Sequence, residues 1–172
     1  MAGGGAIWVD ALVGILVQNS SFTGNWVEGD ASEGGAIYGR SKSAISMFGG
    51  SLERNRAVGE RARGGAISTN TSVTMELRDV TLQDNQVVGP FGQGGAMYIN
   101  EDVMLQTDGV CALHNNAAEF GGAVAMHDAR VTLENCSITG NSATQYDGGA
   151  IYAVATGNAA LRINASTVSN NR

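Results

Sequence analysis

Gly34-Gly35-Ala36-Ile37-Tyr38 decides the fold, because the chain repeats this phrase throughout its length. Other copies begin at Gly4 (GGAIW), Gly64 (GGAIS), Gly94 (GGAMY), Gly121 (GGAVA) and Gly148 (GGAIY), so successive starts lie 30, 30, 30, 27 and 27 residues apart. A fixed period of this size is the signature of a repeat architecture, in which one small unit is stacked on copies of itself.

A second phrase follows each Gly-Gly: one apolar residue, two variable ones, then asparagine. It reads Phe22-Thr-Gly-Asn25, Leu52-Glu-Arg-Asn55, Leu82-Gln-Asp-Asn85, Ala112-Leu-His-Asn115, Ile138-Thr-Gly-Asn141 and Val168-Ser-Asn-Asn171. Upstream of it apolar and polar residues alternate. Ile45 and Met47 flank Ser46, Met75 and Leu77 flank Glu76, and Val131 and Leu133 flank Thr132. Period two with a polar outer column marks a half-buried strand. The alternation then breaks, and Asn19, Gly49, Asp79, Gly109, Asn135 and Ala165 share one place. Gly, Asn and Asp tolerate a left-handed backbone, which predicts a tight turn there. A further short strand runs from the turn towards the asparagine.

No segment keeps a 3.6-residue period, so essentially no helix is expected. The pattern predicts an all-β, right-handed parallel β-helix, a single-stranded solenoid of about six coils of 27–30 residues with three short strands each. The right hand follows from the rule for parallel crossovers. At about 4.8 Å per coil the rod would be on the order of 29 Å long. Residues 1–172 are expected to form a single repeat domain, a segment of a longer solenoid.

Within each coil the first-phrase Ile, Met or Val should point inward. Gly-Gly should permit a sharp bend or close backbone approach, and the following alanine suggests a place with no room for a larger side chain. Asn25, Asn55, Asn85, Asn115, Asn141 and Asn171 are expected to form an inward structural ladder, each amide reaching its neighbour one coil away. Between the asparagine and the next Gly-Gly lies a variable loop, equal in length in turns 1 to 3 and shorter in turns 4 and 5. Glu33 and Arg63 hold the same loop place one turn apart and should pair.

An acidic chain, net charge −6, with scattered cations has no basic stripe for phosphates, so nucleic acid is not an expected partner. The longest apolar run, Ala11 to Val17, is too short to span a bilayer, and no cationic stretch precedes it as in a signal peptide. A membrane is therefore expected only through a domain outside this chain. Cys111 and Cys136 are too few for a disulfide framework. Counting from the second phrase puts them on opposite faces, which argues against a bridge. His114 and His127 have no metal-like spacing, and neither metal nor other cofactor is expected. A calcium or catalytic reading of Glu28, Asp30 and Glu33 lacks the glycine-aspartate nonapeptide of calcium-binding solenoids. Four sequons, at Asn19, Asn70, Asn135 and Asn164, would matter only in a eukaryotic secretory pathway.

Two outward columns stand out by parity. One, directly after the first-phrase Ile, is Trp8, Tyr38, Ser68, Tyr98, Ala125 and Tyr152. Trp8, Tyr38, Tyr98 and Tyr152 could form a binding face, since aromatics combine apolar area with a polar handle; the alternative is packing under the loop that leads into Gly-Gly. The other, Ser21, Ser51, Thr81, Cys111, Ser137 and Thr167, reads as strand propensity with local hydrogen bonding.

The paired phrases, GGAIY with FTGN at Phe22 to Asn25, resemble the repeats of the chlamydial polymorphic outer membrane proteins and related β-helical surface proteins. The likeness runs from Gly4 to Asn171. It implies a passenger of autotransporter type, at the cell surface or secreted, with a structural and adhesive role. In that family GGA-I and F-x-x-N are implicated in adhesion and self-association, which implies the same for Gly34, Gly35, Ala36, Ile37 and Phe22. Leu52, Leu82, Ala112, Ile138 and Val168 depart from the pattern by replacing its Phe. The expected partners are a host-cell protein or glycan, and a second copy joined end to end through the open strand edges of the rod. The rival reading is a carbohydrate-binding or carbohydrate-degrading β-helix, like a polysaccharide lyase or hydrolase.

Overall fold

A computed structural model describes residues 2–172. The chain winds into a parallel β-solenoid, every strand lying beside the equivalent strand of the next turn. Three sheets run along it. The first holds Ile7–Val9, Ile37–Gly39, Ile67–Thr69, Met97–Ile99, Val124–His127 and Ile151–Val154, the strands of the GGA-Ile phrase. The second is built from the alternating segments, Gly14–Thr23, Ala44–Glu53, Thr74–Gln83 and Met104–His114, then Arg130–Glu134 with Cys136–Thr139 and Ala160–Asn164 with Thr167–Ser169. The third holds Trp26–Glu28, Arg56–Val58, Gln86–Val88, Ala117–Ala118 and Ser142–Ala143. Six strands in the first sheet against five in the third make five complete turns and part of a sixth, slightly fewer than the six coils expected.

The division into strands also differs from expectation. The two segments on either side of the predicted turn belong to one sheet, continuous in the first four turns. The turn is a bend within it: Asn19, Gly49, Asp79, Gly109, Asn135 and Ala165 all have left-handed backbones, with φ between 47° and 72°. The third side comes from the start of the segment read as loop, where Val27, Ala57, Val87 and Ala118 turn inward.

Register explains the burial. Ile37 lies over Ile7 and Ile67, and Met97 over Ile67 and Val124. Ile45, Met75 and Leu105 stack in the second sheet. All of these from Ile37 onward are buried. Two apolar compartments result. The larger lies between the first and second sheets, and a small one sits under the third. They are divided where the second glycine of each Gly-Gly meets the backbone of the third strand. A Cβ on Gly35 would stand 2.6 Å from both the nitrogen and the oxygen of Arg56. The alanine that follows is fully buried in the middle turns, and its carbonyl accepts two N–H groups of the preceding turn: Ala36 and Ile37 both donate to Ala66 at 2.9 Å.

The fourth turn carries one extra residue in its long strand, between Asp108 and Cys111, and this overturns three expectations. Downstream of it every side chain changes face. Cys111 therefore pairs with Val80 on one side and Cys136 on the other, all inward. The cysteines share a face and form a disulfide, with their Cα atoms 4.4 Å apart. Ala112, not Cys111, continues the outer Ser/Thr column, between Thr81 and Ser137. By the same shift Leu113 lies over Leu82 and Ile138, so the second phrase of this turn reads Leu113-His-Asn-Asn116. A bridge across 25 residues restricts the unfolded chain, and natural disulfides of this kind contribute about 2–4 kcal/mol. Reduction, or the double substitution Cys111→Ser and Cys136→Ser, should lower the urea midpoint accordingly, and wild type in excess dithiothreitol should match the double variant.

Candidate functional site

Two sets of residues were candidates from sequence: the asparagines and the aromatic column. The structure puts Asn25, Asn55, Asn85, Asn116, Asn141 and Asn171 in line along the rod. In each step the amide nitrogen and the backbone N–H of one asparagine donate to the side-chain oxygen of the next, all at 2.9–3.0 Å. From Asn55 onward the second amide hydrogen reaches back one turn to a strand carbonyl, as Asn85 does to Leu52 at 2.8 Å. The four middle members are completely buried, and their polar capacity is spent inside the protein.

Asn115 is not among them, contrary to expectation. It is exposed, with φ at 54°, and occupies the left-handed place held elsewhere by Gly24, Arg54, Asp84, Gly140 and Asn170. The residue inserted upstream moves the ladder place on to Asn116.

The aromatic column does point away from the core, yet most of it is not a surface. Tyr38 and Tyr98 are 1% and 2% exposed, and Ser68 and Ala125 are fully buried. The returning chain crosses over this side of the first sheet, where Glu33, Arg63, Gln93 and Phe120 form a row of parallel bridges. Of the proposed binding face only Trp8 is largely exposed, at 44%, and Tyr152 is half-buried. The rest is a covered belt. Trp8 meets Tyr38 edge-on with ring centres 4.8 Å apart, the Arg63 guanidinium lies 4.7 Å over Tyr98, and Phe120 stacks on Tyr146 at 4.4 Å.

Within the belt sits a charged cluster. Glu33 is buried, pairs with Arg63 at 3.6 Å and accepts a hydrogen bond from the Ser68 hydroxyl at 3.2 Å. The expected pair forms, and only its Arg63 side reaches solvent. Burial, the largest influence, pushes the Glu33 carboxyl above its usual range, and Arg63 opposes this without cancelling it. Tyr38 and Tyr98 are pushed up by the same burial, and His127, packed against Tyr98, is pushed down, so it is neutral near pH 7. The sign for stability follows. A carboxyl that holds its proton more tightly when folded favours folding below its unfolded value of 4.5. That advantage is lost as pH rises through the folded value. Glu33→Gln should therefore flatten the decline in urea midpoint between pH 4.5 and neutrality, and a slope unchanged by the substitution would place the titration elsewhere.

The remaining acids are dispersed. Glu28 and Asp30 are exposed while Glu33 is turned inward, so the three suggested for calcium or catalysis do not converge. Asp128 caps the loop at Thr156 and Gly157, and the hydrogen bonds from those residues hold its carboxyl below the usual range. Among the described residues no group of three His, Cys, Asp or Glu side chains could hold a metal ion.

Residues 19–40 and 135–154 match the model of the Chlamydia polymorphic membrane protein repeat. The first stretch holds Phe22–Asn25 and Gly34–Tyr38, and the second Ile138–Asn141 and Gly148–Ile151, so each match spans ladder asparagine, third-sheet strand and re-entry glycines. These two stretches of the solenoid are similar to that repeat. This repeat family is one of surface and outer-membrane-associated proteins. No curated protein and no solved structure matches the chain.

Proposed function

We propose that this polymorphic membrane protein-type solenoid is a non-catalytic adhesive module displayed on a cell surface. The observation that carries this reading is the division of labour within the matched repeat. Its recurring residues, Gly34–Ile37 and Asn25 among them, form the frame, and between them the third sheet turns a row of unlike side chains outward. Trp26, Arg56, Gln86, Ala117 and Ser142 lie in one column of that face. A rigid frame presenting a changeable outer column suits recognition of a host-cell protein or glycan. The buried disulfide suits the oxidising surroundings of a secreted or surface protein.

Beads coated with the folded chain should bind cultured epithelial cells above beads coated with the same chain unfolded by urea and reduction. Equal binding by both preparations, or none by the folded one, would remove the adhesive role.

A further inference from the structure

The third and fourth turns do not match in length, and the mismatch opens a cleft. From Asn85 to Gly94 the chain advances nine residues, whereas Asn116 reaches Gly121 in five. The longer loop therefore overhangs the shorter one. Pairing in the third sheet narrows at this point: Arg56–Val58 pairs along its whole length with Gln86–Val88, but Gln86–Val88 meets the next strand only through Gln86 and Ala117. The resulting cleft has a volume of about 450 Å³, within the span of about 300–1,000 Å³ usual for small-ligand sites. It lies mid-rod with turns on both sides, unlike the exposed Trp26 of the first turn.

Its walls carry unspent hydrogen-bonding groups. Gly29 and Gly59 donate their N–H groups to Val58 and Val88 of the following turn, at 3.0 and 2.9 Å; Gly89, at the same place, has no such partner in the shortened turn. Glu119 is 91% buried, from its 9% exposure, and one carboxylate oxygen accepts the Phe91 N–H at 2.7 Å. The other oxygen makes no hydrogen bond or ion pair within the chain. Gln145 adds an exposed amide, and Val88 and Pro90 supply an apolar wall.

We propose that this cleft binds a neutral oligosaccharide. One acceptor, one backbone donor and one amide beside a small apolar wall match a sugar ring, which offers hydroxyls at its rim and C–H groups on its face. No cation lines the cleft to receive an acidic sugar, and Glu119 would repel one. An extended peptide needs a straight strand edge to add to, and here the edge of Gln86–Val88 runs at once into Gly89 and Pro90, whose ring has no N–H. The proposal deepens the adhesive reading and rests on it.

Ala117→Arg tests the site. The side chain stands outward in the column that holds Arg56 two turns away, so an arginine there is compatible with the fold and would project across the cleft. The wild-type chain should bind neutral members of a printed oligosaccharide array, with acidic members weaker. Ala117→Arg should weaken that binding at least tenfold at an unchanged urea midpoint, and Gln145→Ala by severalfold. In NMR titration with the best neutral oligosaccharide, the Gly89 amide should shift in wild type only. Array binding that survives Ala117→Arg, an array blank for neutral sugars, or selective binding of extended peptides would each overturn the proposal. Cell adhesion by both wild type and Ala117→Arg would sink the cleft and leave the adhesive reading standing, whereas loss of adhesion by wild type would remove the reading itself.

Discussion

Replacing Asn116 by alanine will lower the free energy of unfolding by about 3–5 kcal/mol, while glycine at neighbouring Asn115 will change it by less than about 0.5 kcal/mol. Asn116 accepts from both the backbone and the side chain of Asn85 and donates to the backbone carbonyl of Leu82 and the side-chain oxygen of Asn141, all at 3.0 Å and all buried. Alanine leaves the Asn85 N–H and the amide hydrogen that Asn85 gave to Asn116 without partners in a place water cannot reach, and it takes one donor from the Leu82 carbonyl. Each orphaned group costs about 1–3 kcal/mol, far more than the net worth of the bond it made. Asn115 holds a left-handed backbone at the surface, where Gly24 and Gly140 serve in other turns, and its side chain donates to nothing. Urea unfolding of the two variants beside wild type decides the matter. The reverse ranking would restore Asn115 to the ladder and undo the register of the fourth turn.

That register shows where the sequence was legible and where it was not. The repeat, the parallel solenoid and the left-handed places at Asn19, Asp79 and Asn135 could be read directly, because each recurs at fixed spacing and has one physical cause. The fourth turn offered two asparagines, and counting by the period chose Asn115. The phrase itself fits Leu113-His-Asn-Asn116 as well, and Leu113 is a better inward residue than Ala112. Placing the extra residue correctly would also have put Cys111 and Cys136 on one face. The third sheet escaped notice for a different reason. Its strands are two or three residues long with at most one residue of each turned inward, too short for alternation to appear. The surviving signal is a column of small or modest apolar residues, Val27, Ala57, Val87 and Ala118, two places after each ladder asparagine. Tyr38 and Tyr98 teach a third lesson. Parity tells which side of a strand a residue faces, but a chain crossing over that side decides whether water reaches it.

Gly65→Ala should cost about 3 kcal/mol or more, at the upper end of what a single added methyl does to a packed interior. The new Cβ would collide with the Gly95 carbonyl oxygen one turn on and stand 2.6 Å from the nitrogen and 2.7 Å from the carbonyl carbon of Gln86. Every one of these atoms is backbone, so no side chain can swing aside. Relief requires the first and third strands of the turn to part, and that displacement carries into the turns stacked on either side. Gly24→Ala isolates the other reason for glycine. Its φ is +68° with nothing within 4 Å of the added carbon, so only backbone strain opposes the change, about 1 kcal/mol. Measured by urea unfolding, a gap of about 2 kcal/mol between the two variants is the mark of strands pinched together at Gly65. Equal losses would mean that the GGA phrase serves only to turn the chain. The division of the interior into two apolar compartments would then need another cause.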